Sequence, residues 1–268
     1  MSSLRAQRAR SKRPQGVILY EGPSMIDGKP IVVIATGFQR RSANPKTGDM
    51  IQSWVLRRDV NPFAAIHNGA DVSICGDCPL RGIIERNKPR TVNRRRACYV
   101  SVHQAPLAVY QAYKRGRYAP FDKCEHLRMF RGRMLRIGAY GDPCAAPYSV
   151  WSTLARVAQG RTGYTHQWRI GQFWRYRRLV MASVESPAQA HQAQSRGWRT
   201  FRTSPADEKP SLGEFACPAS AERGHRLTCE QCGACDGVNG NQQRASVVIW
   251  AHGSPATLGS YQRLLSQN

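Results

Sequence analysis

Acidic residues are scarce in this chain: 17 Asp and Glu stand against 40 Lys and Arg over 268 residues. The resulting net charge of +23 costs self-repulsion unless a negatively charged partner offsets it. We therefore expect a polyanionic partner, with nucleic acid (DNA or RNA) first and an acidic membrane surface second. The 41% of apolar residues can bury a core, which excludes a wholly disordered basic protein.

Long hydrophobic runs are also absent. The longest, such as Ile31–Ala35 and Val247–Ala251, are of strand length and far below the ~20 residues that cross a bilayer. The Arg-rich N-terminus is not followed by the apolar stretch of a signal peptide. We expect a protein without a transmembrane segment, located in the cytoplasm of its host cell.

Sequence motifs of several common enzyme classes are missing as well. The chain contains no G-x-x-x-x-G-K-[ST] phosphate loop, no G-x-S-x-G nucleophile elbow and no H-E-x-x-H zinc helix. These absences argue against ATPases, serine hydrolases and metalloproteases.

The second half of the chain alternates strand and helix patterns. Such alternation is typical of βαβ units, so we predict an α/β fold with a mostly parallel sheet or a partial (β/α) barrel. The expected strands are Met134–Tyr140, Gly163–His166, Leu179–Val184, Trp198–Thr203 and Ala245–Ala251; the expected helices are Tyr148–Ala158, Pro187–Arg196 and Ser254–Leu265.

The first half has a different character. The segments Val17–Tyr20, Ile31–Thr36 and Met50–Leu56 predict a small antiparallel hairpin region. From Cys75 to about residue 136 we expect an irregular, cysteine-rich and basic region with one helix near Pro106–Arg115. The predicted organisation is a flexible basic arm (1–15), an N-terminal region (16–133) and an α/β region (134–268), with the last two alternatively forming one domain.

Polar side chains follow the predicted parallel strands. Asp142, His166, Glu185, Ser204 and His252 stand at the carboxyl ends of these strands. Parallel sheets place their chemistry at the carboxyl ends of the strands, so these residues predict one pocket, with Asp142, His166 and Glu185 as the main candidates. The alternative is that they are ordinary polar turn residues.

The cysteines are the most informative residues. Their odd number, nine, and a reducing cytoplasm favour metal ligands or free thiols over disulfides. Cys229, Cys232 and Cys235 form a C-x2-C-x2-C run in a Gly-containing loop, and Cys217 precedes it. Four thiolates suit an iron-sulfur cluster or a zinc ion, and the tight triple favours iron-sulfur.

A second set consists of Cys75, Cys78 and Cys98. Its fourth ligand could be Cys124, His103 or a group outside the protein. An iron-sulfur cluster with one open iron would bind a substrate or S-adenosylmethionine there, whereas zinc would make a closed structural site. A redox dithiol is the third alternative. We expect Cys124 and Cys144 to be unligated.

Two basic stretches predict contacts with nucleic-acid phosphates. Their candidate residues are Arg94, Arg95, Arg96, Lys114, Arg115, Arg117, Arg175, Arg177 and Arg178. In the second stretch, aromatic residues such as Trp168 and Trp174 alternate with the arginines and could stack on unpaired bases. The alternative is that these rings pack in the core while the arginines are solvated.

With these residues identified, the chain resembles an uncharacterised family of cysteine-rich proteins encoded by bacteriophages and plasmids. The segments that carry the resemblance are Tyr20–Ser24, Cys75–Pro79, Cys98–Val100, Tyr113–Tyr118, Gly138–Pro143, Gly163–Trp168 and Cys217–Ser220 together with the C-x2-C-x2-C run. More remotely it is similar to phage radical S-adenosylmethionine-type proteins, with cysteines ahead of a parallel half-barrel. In place of that superfamily's C-x3-C-x2-C run it has Cys75, Cys78 and Cys98.

Three functions remain open on this basis. The first is a cysteine-ligated metal-binding protein, with an iron-sulfur cluster preferred, that binds nucleic acid for a phage or plasmid. The second is a radical-type, S-adenosylmethionine-dependent enzyme. The third is a zinc-stabilised structural or host-interaction protein without catalysis.

Overall fold

The computed structural model describes residues 13–266 except 41, 43, 86–91, 95, 206–207, 221–223, 225 and 239–243. Most of the predicted basic arm and the side chains of Arg94 and Arg95 lie outside the described part. The strands are β1 Gly16–Pro23, β2 Pro30–Thr36, β3 Ile51–Arg57, β4 Ile83–Glu85, β5 Val92–Arg94, β6 Ala119–Pro120, β7 Met134–Tyr140, β8 Gly160–Thr165, β9 Met181–Val184, β10 Thr200–Ser204, β11 Glu214–Ala216 and β12 Ser246–Trp250.

Eight α-helices are found in the described residues. They are α1 Pro62–Asn68, α2 Val72–Cys75, α3 Ala105–Lys114, α4 Lys123–His126, α5 Tyr148–Ala155, α6 Pro187–Ser195, α7 Cys229–Cys232 and α8 Pro255–Leu265. Short 3-10 turns connect several of them, the longest at Gly171–Arg178. The predicted helices of the second half are confirmed, α5 being three residues shorter than expected.

Ten of the twelve strands form one sheet in the order β11-β12-β10-β9-β8-β7-β3-β2-β1-β6. All neighbours from β11 to β3 are parallel, and β3, β2 and β1 form an antiparallel meander. The prediction of an α/β fold around a mostly parallel sheet is therefore confirmed. The sheet stays open, with β11 at one edge and β6 at the other.

Three of the parallel strands, β3, β9 and β12, are buried on both faces, as in the interior of a covered parallel sheet. In β3 all seven residues are buried, and the same is true of all residues in β9 and β12. Six parallel strands follow the chain in order across the sheet: β3, β7, β8, β9, β10 and β12. The loops after these six strands consequently open at the same edge.

Helix boundaries follow local capping chemistry. The side chains of Asn61, Ser186 and Ser254 accept hydrogen bonds from backbone N–H groups in the first turns of α1, α6 and α8, and proline occupies the next position in each. Serine or asparagine before a proline satisfies an otherwise unpaired donor and sets the entry angle of the helix. The starts of α6 and α8 are visible in the sequence for this reason.

The region between Cys75 and residue 136 contains more regular structure than expected. Besides α3, it holds α4, the separate β4-β5 pair and the short strand β6, which pairs with β1. These elements are only two to four residues long, so no periodic pattern in the sequence signals them.

None of the helices in the described residues is long or apolar enough to cross a membrane.

Candidate functional site

A cavity of about 310 Å³ opens at the carboxyl edge of the six parallel strands. Residues after β3, β7, β8 and β12 contribute to its wall, including Cys75, Asp142, His166 and His252. Aliphatic and aromatic side chains from strands, loops and α8 complete it: Leu80, Val100, Tyr140, Tyr164, Phe201, Ile249 and Leu258. An apolar cavity with a few convergent polar groups at this position of an α/β sheet is the usual form of a ligand site.

Asp142 joins the ends of β7 and β8. Its carboxylate accepts hydrogen bonds from the Cys144 N–H (2.9 Å), the Thr165 hydroxyl (2.7 Å) and the His166 N–H (2.9 Å). Burial raises the pKa of Asp142, against the lowering effect of these donors. Because both carboxylate oxygens already have donors, Asp142 acts in this arrangement as a buried positioning group at the cavity wall.

The turn before Asp142 depends on glycine. Gly141 has φ +79°, and an added Cβ would lie 2.7 Å from both the Val55 side chain and the Val55 carbonyl oxygen. Only glycine fits this left-handed, closely packed position. The Gly-Asp-Pro bend therefore brings β7 against β3 while turning the Asp142 carboxylate toward β8.

His166 lies between two of the predicted site residues. Its Nε2 is 2.7 Å from Oε1 of Glu185, and its side chain also lies beside the Cys78 thiol. Burial lowers the pKa of His166, but the Cys78 and Glu185 charges outweigh burial, and the pKa rises well above its usual value. Glu185 is buried behind the ring and does not line the cavity, so it acts through His166.

The N-terminal thiols, Cys75, Cys78 and Cys98, line one part of this cavity. Burial raises the pKa of Cys75 well above its usual value, and the charges of Cys78 and Cys98 raise it further. Cys98 has a pKa raised by burial and partly lowered by Arg96. The three thiols are thus close enough to influence one another, although the chain separates Cys98 from the other two.

Two arginines stabilise the loops that carry these thiols. Arg81 pairs with the buried Asp71 at 2.6 Å, and Arg96 donates to the carbonyl oxygens of Cys98 (2.9 Å) and Val100 (3.2 Å). Both arginines line the cavity. Arg96, predicted to contact nucleic acid, is therefore a cavity residue that fixes the Cys98 loop.

Neither protein residue considered as a fourth ligand of this set reaches it. Cys124 is exposed on α4, and the His103 ring packs against Phe63 at 4.7 Å in a separate surface pocket. Cys144 is fully buried beside Thr165.

The C-terminal thiols gather around α7. Cys217 and Cys235 are buried in a small apolar cluster with Met181, Ala234 and Val247, and Cys229 and Cys232 pack against it. Burial is the largest effect that raises the pKa of Cys217, Cys229 and Cys235. Neighbouring thiols of the set raise the pKa of each one further. The four cysteines predicted as one ligand set are therefore neighbours in space.

The loop before β3 holds α7 in position. The N–H groups of Cys229 and Glu230 donate to the carbonyl oxygens of Lys46 (2.9 Å) and Thr47 (3.0 Å), and the Glu230 carboxylate accepts from the Asp49 N–H (2.8 Å). A capping box between Thr228 and Gln231 starts the helix, and Gly233 ends it in the left-handed conformation. The C-terminal thiol loop is thus attached to the N-terminal meander.

Both thiol sets face the same cavity, because Cys217 and Cys229 line it together with Cys75, Cys78 and Cys98. No three His, Cys, Asp or Glu side chains of the described residues are arranged as a metal site. The thiols of each set are near one another but are not arranged with the geometry of metal ligands.

The remaining basic candidates lie on different elements. Lys114, Arg115 and Arg117 are exposed at and after the end of α3, and Arg175 and Arg178 are exposed on the 3-10 turn before β9. Arg177 donates to the Gly197 carbonyl oxygen at 3.0 Å and stacks on Trp174. It therefore has a structural role, whereas five of the candidates remain available at the surface.

The aromatic residues of the second basic stretch are mostly internal. Trp168, Phe173 and Tyr176 are buried in the main core, and only Trp174 is substantially exposed, at 46%. The core alternative is therefore correct for those three rings, and they cannot serve as stacking platforms for bases.

Sequence reasoning missed Arg136, Tyr99 and Tyr140 in the cavity wall. Arg136 lies in β7 and donates to the Tyr99 hydroxyl at 3.0 Å, and the Tyr140 hydroxyl has no hydrogen-bond partner in the described residues. An arginine in the middle of the apolar strand sequence Met-Leu-Arg-Ile-Gly was the one available signal, since such a strand is buried on both faces.

Comparisons of the chain with profiles of known protein families, with curated proteins and with solved structures give no match. The chemistry of the cavity residues is therefore the basis for assigning a function.

Proposed function

We propose that the protein is an enzyme whose active site is the carboxyl-edge cavity, with an iron-sulfur cluster held by Cys75, Cys78 and Cys98. The observation that carries the proposal is the convergence of these three thiols, Asp142 and His166 on one cavity at the end of six parallel strands taken in chain order. The N-terminal set consists of three thiols, and neither Cys124 nor His103 lies where it could be a fourth ligand. One iron would remain open to a ligand from the cavity.

The donor set fits a cluster chemically. Three thiolates carry negative charge into an apolar wall, and buried negative charge needs nearby compensation. Arg96 and Arg81 supply it, since they lower the pKa of Cys98 and Cys75 respectively against the effect of burial. With S-adenosylmethionine bound and an electron from an external reductant, such a cluster would supply one-electron chemistry, namely reductive cleavage of the sulfonium carbon–sulfur bond.

The other cavity residues have positioning roles in this proposal. Asp142 fixes the backbone of β8 at His166, and Glu185 orients the His166 ring toward Cys78. The apolar side chains around them exclude water from the reacting groups. We assign the second centre to Cys217, Cys229, Cys232 and Cys235, whose four thiols would close an iron-sulfur or zinc site.

Anaerobic purification with iron and zinc analysis, a visible spectrum and an S-adenosylmethionine cleavage assay under chemical reduction test the proposal. We expect iron, the absorption of a cluster, and cleavage that disappears in Cys98→Ala. The matched control is Cys124→Ala, which removes an exposed thiol and should leave cleavage unchanged. A colourless protein that contains zinc but no iron would overturn the enzyme and support the zinc-stabilised structural alternative.

Nucleic-acid binding is a second candidate function, favoured by the exposed cations Lys114, Arg115, Arg117, Arg175 and Arg178. Phosphate contacts by these residues would make binding fall steeply with salt. Binding of a DNA or RNA duplex that is flat between low and physiological salt would contradict this function. A phage or plasmid origin and a location in the host cytoplasm fit either function and stay proposals.

A further inference from the structure

Among the buried arginines of the described residues, Arg136 alone has no carboxylate partner. It is 9% exposed, it lines the cavity, and no Asp or Glu of the described residues forms an ion pair with it. Its only side-chain hydrogen bond in the described residues goes to the Tyr99 hydroxyl. A guanidinium has five N–H donors, so most of the hydrogen-bonding capacity of Arg136 is unused.

The other buried arginines of the described residues have carboxylate partners. Arg202, fully buried in β10, pairs with Glu208 at 2.5 Å and Glu214 at 2.8 Å, and Arg199 pairs with Asp236 at 2.9 Å. A buried cation without a counter-charge is costly. The exception at Arg136 occurs where the side chain reaches a cavity, which is where a ligand could supply the missing charge.

A second cation, Lys46, lines the same cavity as Arg136. Its backbone carbonyl oxygen accepts from the Cys229 N–H at 2.9 Å, which fixes this segment beside α7. A fork-shaped guanidinium and an ammonium group in one cavity suit a phosphate, which offers several oxygens and more than one charge. Tyr164 and Phe201, with ring centroids 4.1 Å apart, provide an apolar wall in the same cavity.

We propose that the substrate of this cavity is a phosphorylated small molecule whose phosphate is bound by Arg136. The inference rests on the proposed function only in taking the cavity as the active site. Arg136 binds through charge-assisted hydrogen bonds to the phosphate oxygens, and the apolar wall contacts the rest of the molecule. Compensation of the Cys229 thiolate by Arg136, in support of the second centre, is the competing role.

Titration of the purified full chain with inorganic pyrophosphate, by calorimetry at matched ionic strength, tests the proposal. We expect saturable binding that Arg136→Met weakens at least ~10-fold, the loss expected for one charge-assisted contact. The control Arg156→Met removes an exposed cation that does not line the cavity and should leave binding unchanged. Equal loss in both variants, or no binding by the wild type, overturns the proposal.

Metal content separates the two roles of Arg136. If Arg136→Met keeps the iron and visible spectrum of the wild type but loses pyrophosphate binding, the phosphate role is supported. If the variant loses metal, Arg136 serves the thiol centre and the proposal fails. Arg136→Lys keeps the charge without the fork and should retain part of the binding. Pyrophosphate binding in a protein that does not cleave S-adenosylmethionine would refute the proposed reaction and leave the phosphate site standing.

Discussion

The two thiol sets of this protein differ in how the fold holds them. The C-terminal set has three thiols on α7 and the loop after it and a fourth, Cys217, directly after β11. It has an apolar cluster of its own and backbone hydrogen bonds to the loop at Lys46 and Thr47. The N-terminal set has three thiols from two separate segments, with charged and polar partners such as Arg96 and His166 around them.

From this difference we propose a division of roles between the two sets. Four convergent thiols in an apolar surrounding suit a closed centre that stabilises the fold, because such a site has no position for a further ligand. Three thiols beside ionisable groups and an open cavity suit a reactive centre. The comparison predicts that damage to the C-terminal set unfolds the protein, whereas damage to the N-terminal set abolishes chemistry.

The largest effect is expected for Cys232→Ser. This side chain is only partly buried, so burial of a hydroxyl is not the cause of any loss. Structural metal contributes about 10–16 kcal/mol in small sites, comparable to the whole stability of a domain. We expect an unfolded or metal-depleted protein by circular dichroism and metal analysis. A variant that is as folded and as metal-rich as Cys124→Ser would refute the structural role.

The next effect concerns the strand that leads to the C-terminal set. Arg202→Met leaves Glu214 of β11 buried without its cation, three residues before Cys217. Breaking one partner of a buried pair costs about 3–5 kcal/mol, which urea unfolding would measure. Arg244→Met is the matched control, because its pair with Asp236 is 38% exposed on the arginine side and should cost less than about 1 kcal/mol.

The same ion pair predicts a dependence on pH. Burial raises the pKa of Glu214, but the hydrogen bonds and charge of Arg202 outweigh it and hold the pKa below the ordinary 4.5. A carboxylate with a lowered folded pKa stabilises the protein above 4.5, and this contribution disappears as the pH falls through the folded pKa. Urea unfolding of Glu214→Gln should therefore show a flatter loss of stability below pH 4.5 than the wild type; equal slopes would contradict the assignment.

A smaller effect on stability is expected at the N-terminal set. Cys98→Ala removes one thiol from the cavity wall, so its cost in unfolding free energy should be about 1 kcal/mol, typical of a single substitution. We expect the variant to stay folded, to lose the iron of one centre and to lose S-adenosylmethionine cleavage. Unfolding as severe as that of Cys232→Ser would remove the contrast between the two sets.

The smallest effect on stability is expected at the surface cations. Replacing Lys114, Arg115 and Arg117 with Gln should change the unfolding free energy by less than about 0.5 kcal/mol per residue, because these side chains are exposed. If they contact nucleic acid, affinity should fall and the slope of log affinity against log salt should become shallower. Unchanged affinity and slope would exclude these residues from the interface.

Much of the fold could be predicted from local sequence. Short runs of consecutive residues are enough to recognise the apolar strands β2, β3 and β12. The same is true of the Ser-Pro starts of α6 and α8. The short elements between residues 75 and 136 could not be predicted, since two to four residues show no period. Their positions depend on contacts made far along the chain, such as the pairing of β6 with β1.

The candidate site was predictable only in its parts. Spacing alone identified the C-x2-C-x2-C run, and strand ends identified Asp142 and His166. Glu185 was expected in the pocket but lies behind His166, because its Oε1 is hydrogen-bonded to the imidazole Nε2 at 2.7 Å. The basic stretches were the least reliable guide to site residues, since Arg96 and Arg177 donate hydrogen bonds to backbone carbonyl oxygens within the fold.

The sequence by itself determined the parallel α/β sheet, the two groups of cysteines and the excess of positive charge, because each can be recognised from residues that are close together in the sequence. Only the tertiary structure decided that both thiol sets face one cavity, and that Arg136 reaches it without a carboxylate partner among the described residues. The physical reason is that parallel strands from distant parts of the chain end at one edge of the sheet. Their loops therefore meet there, whatever their separation in sequence.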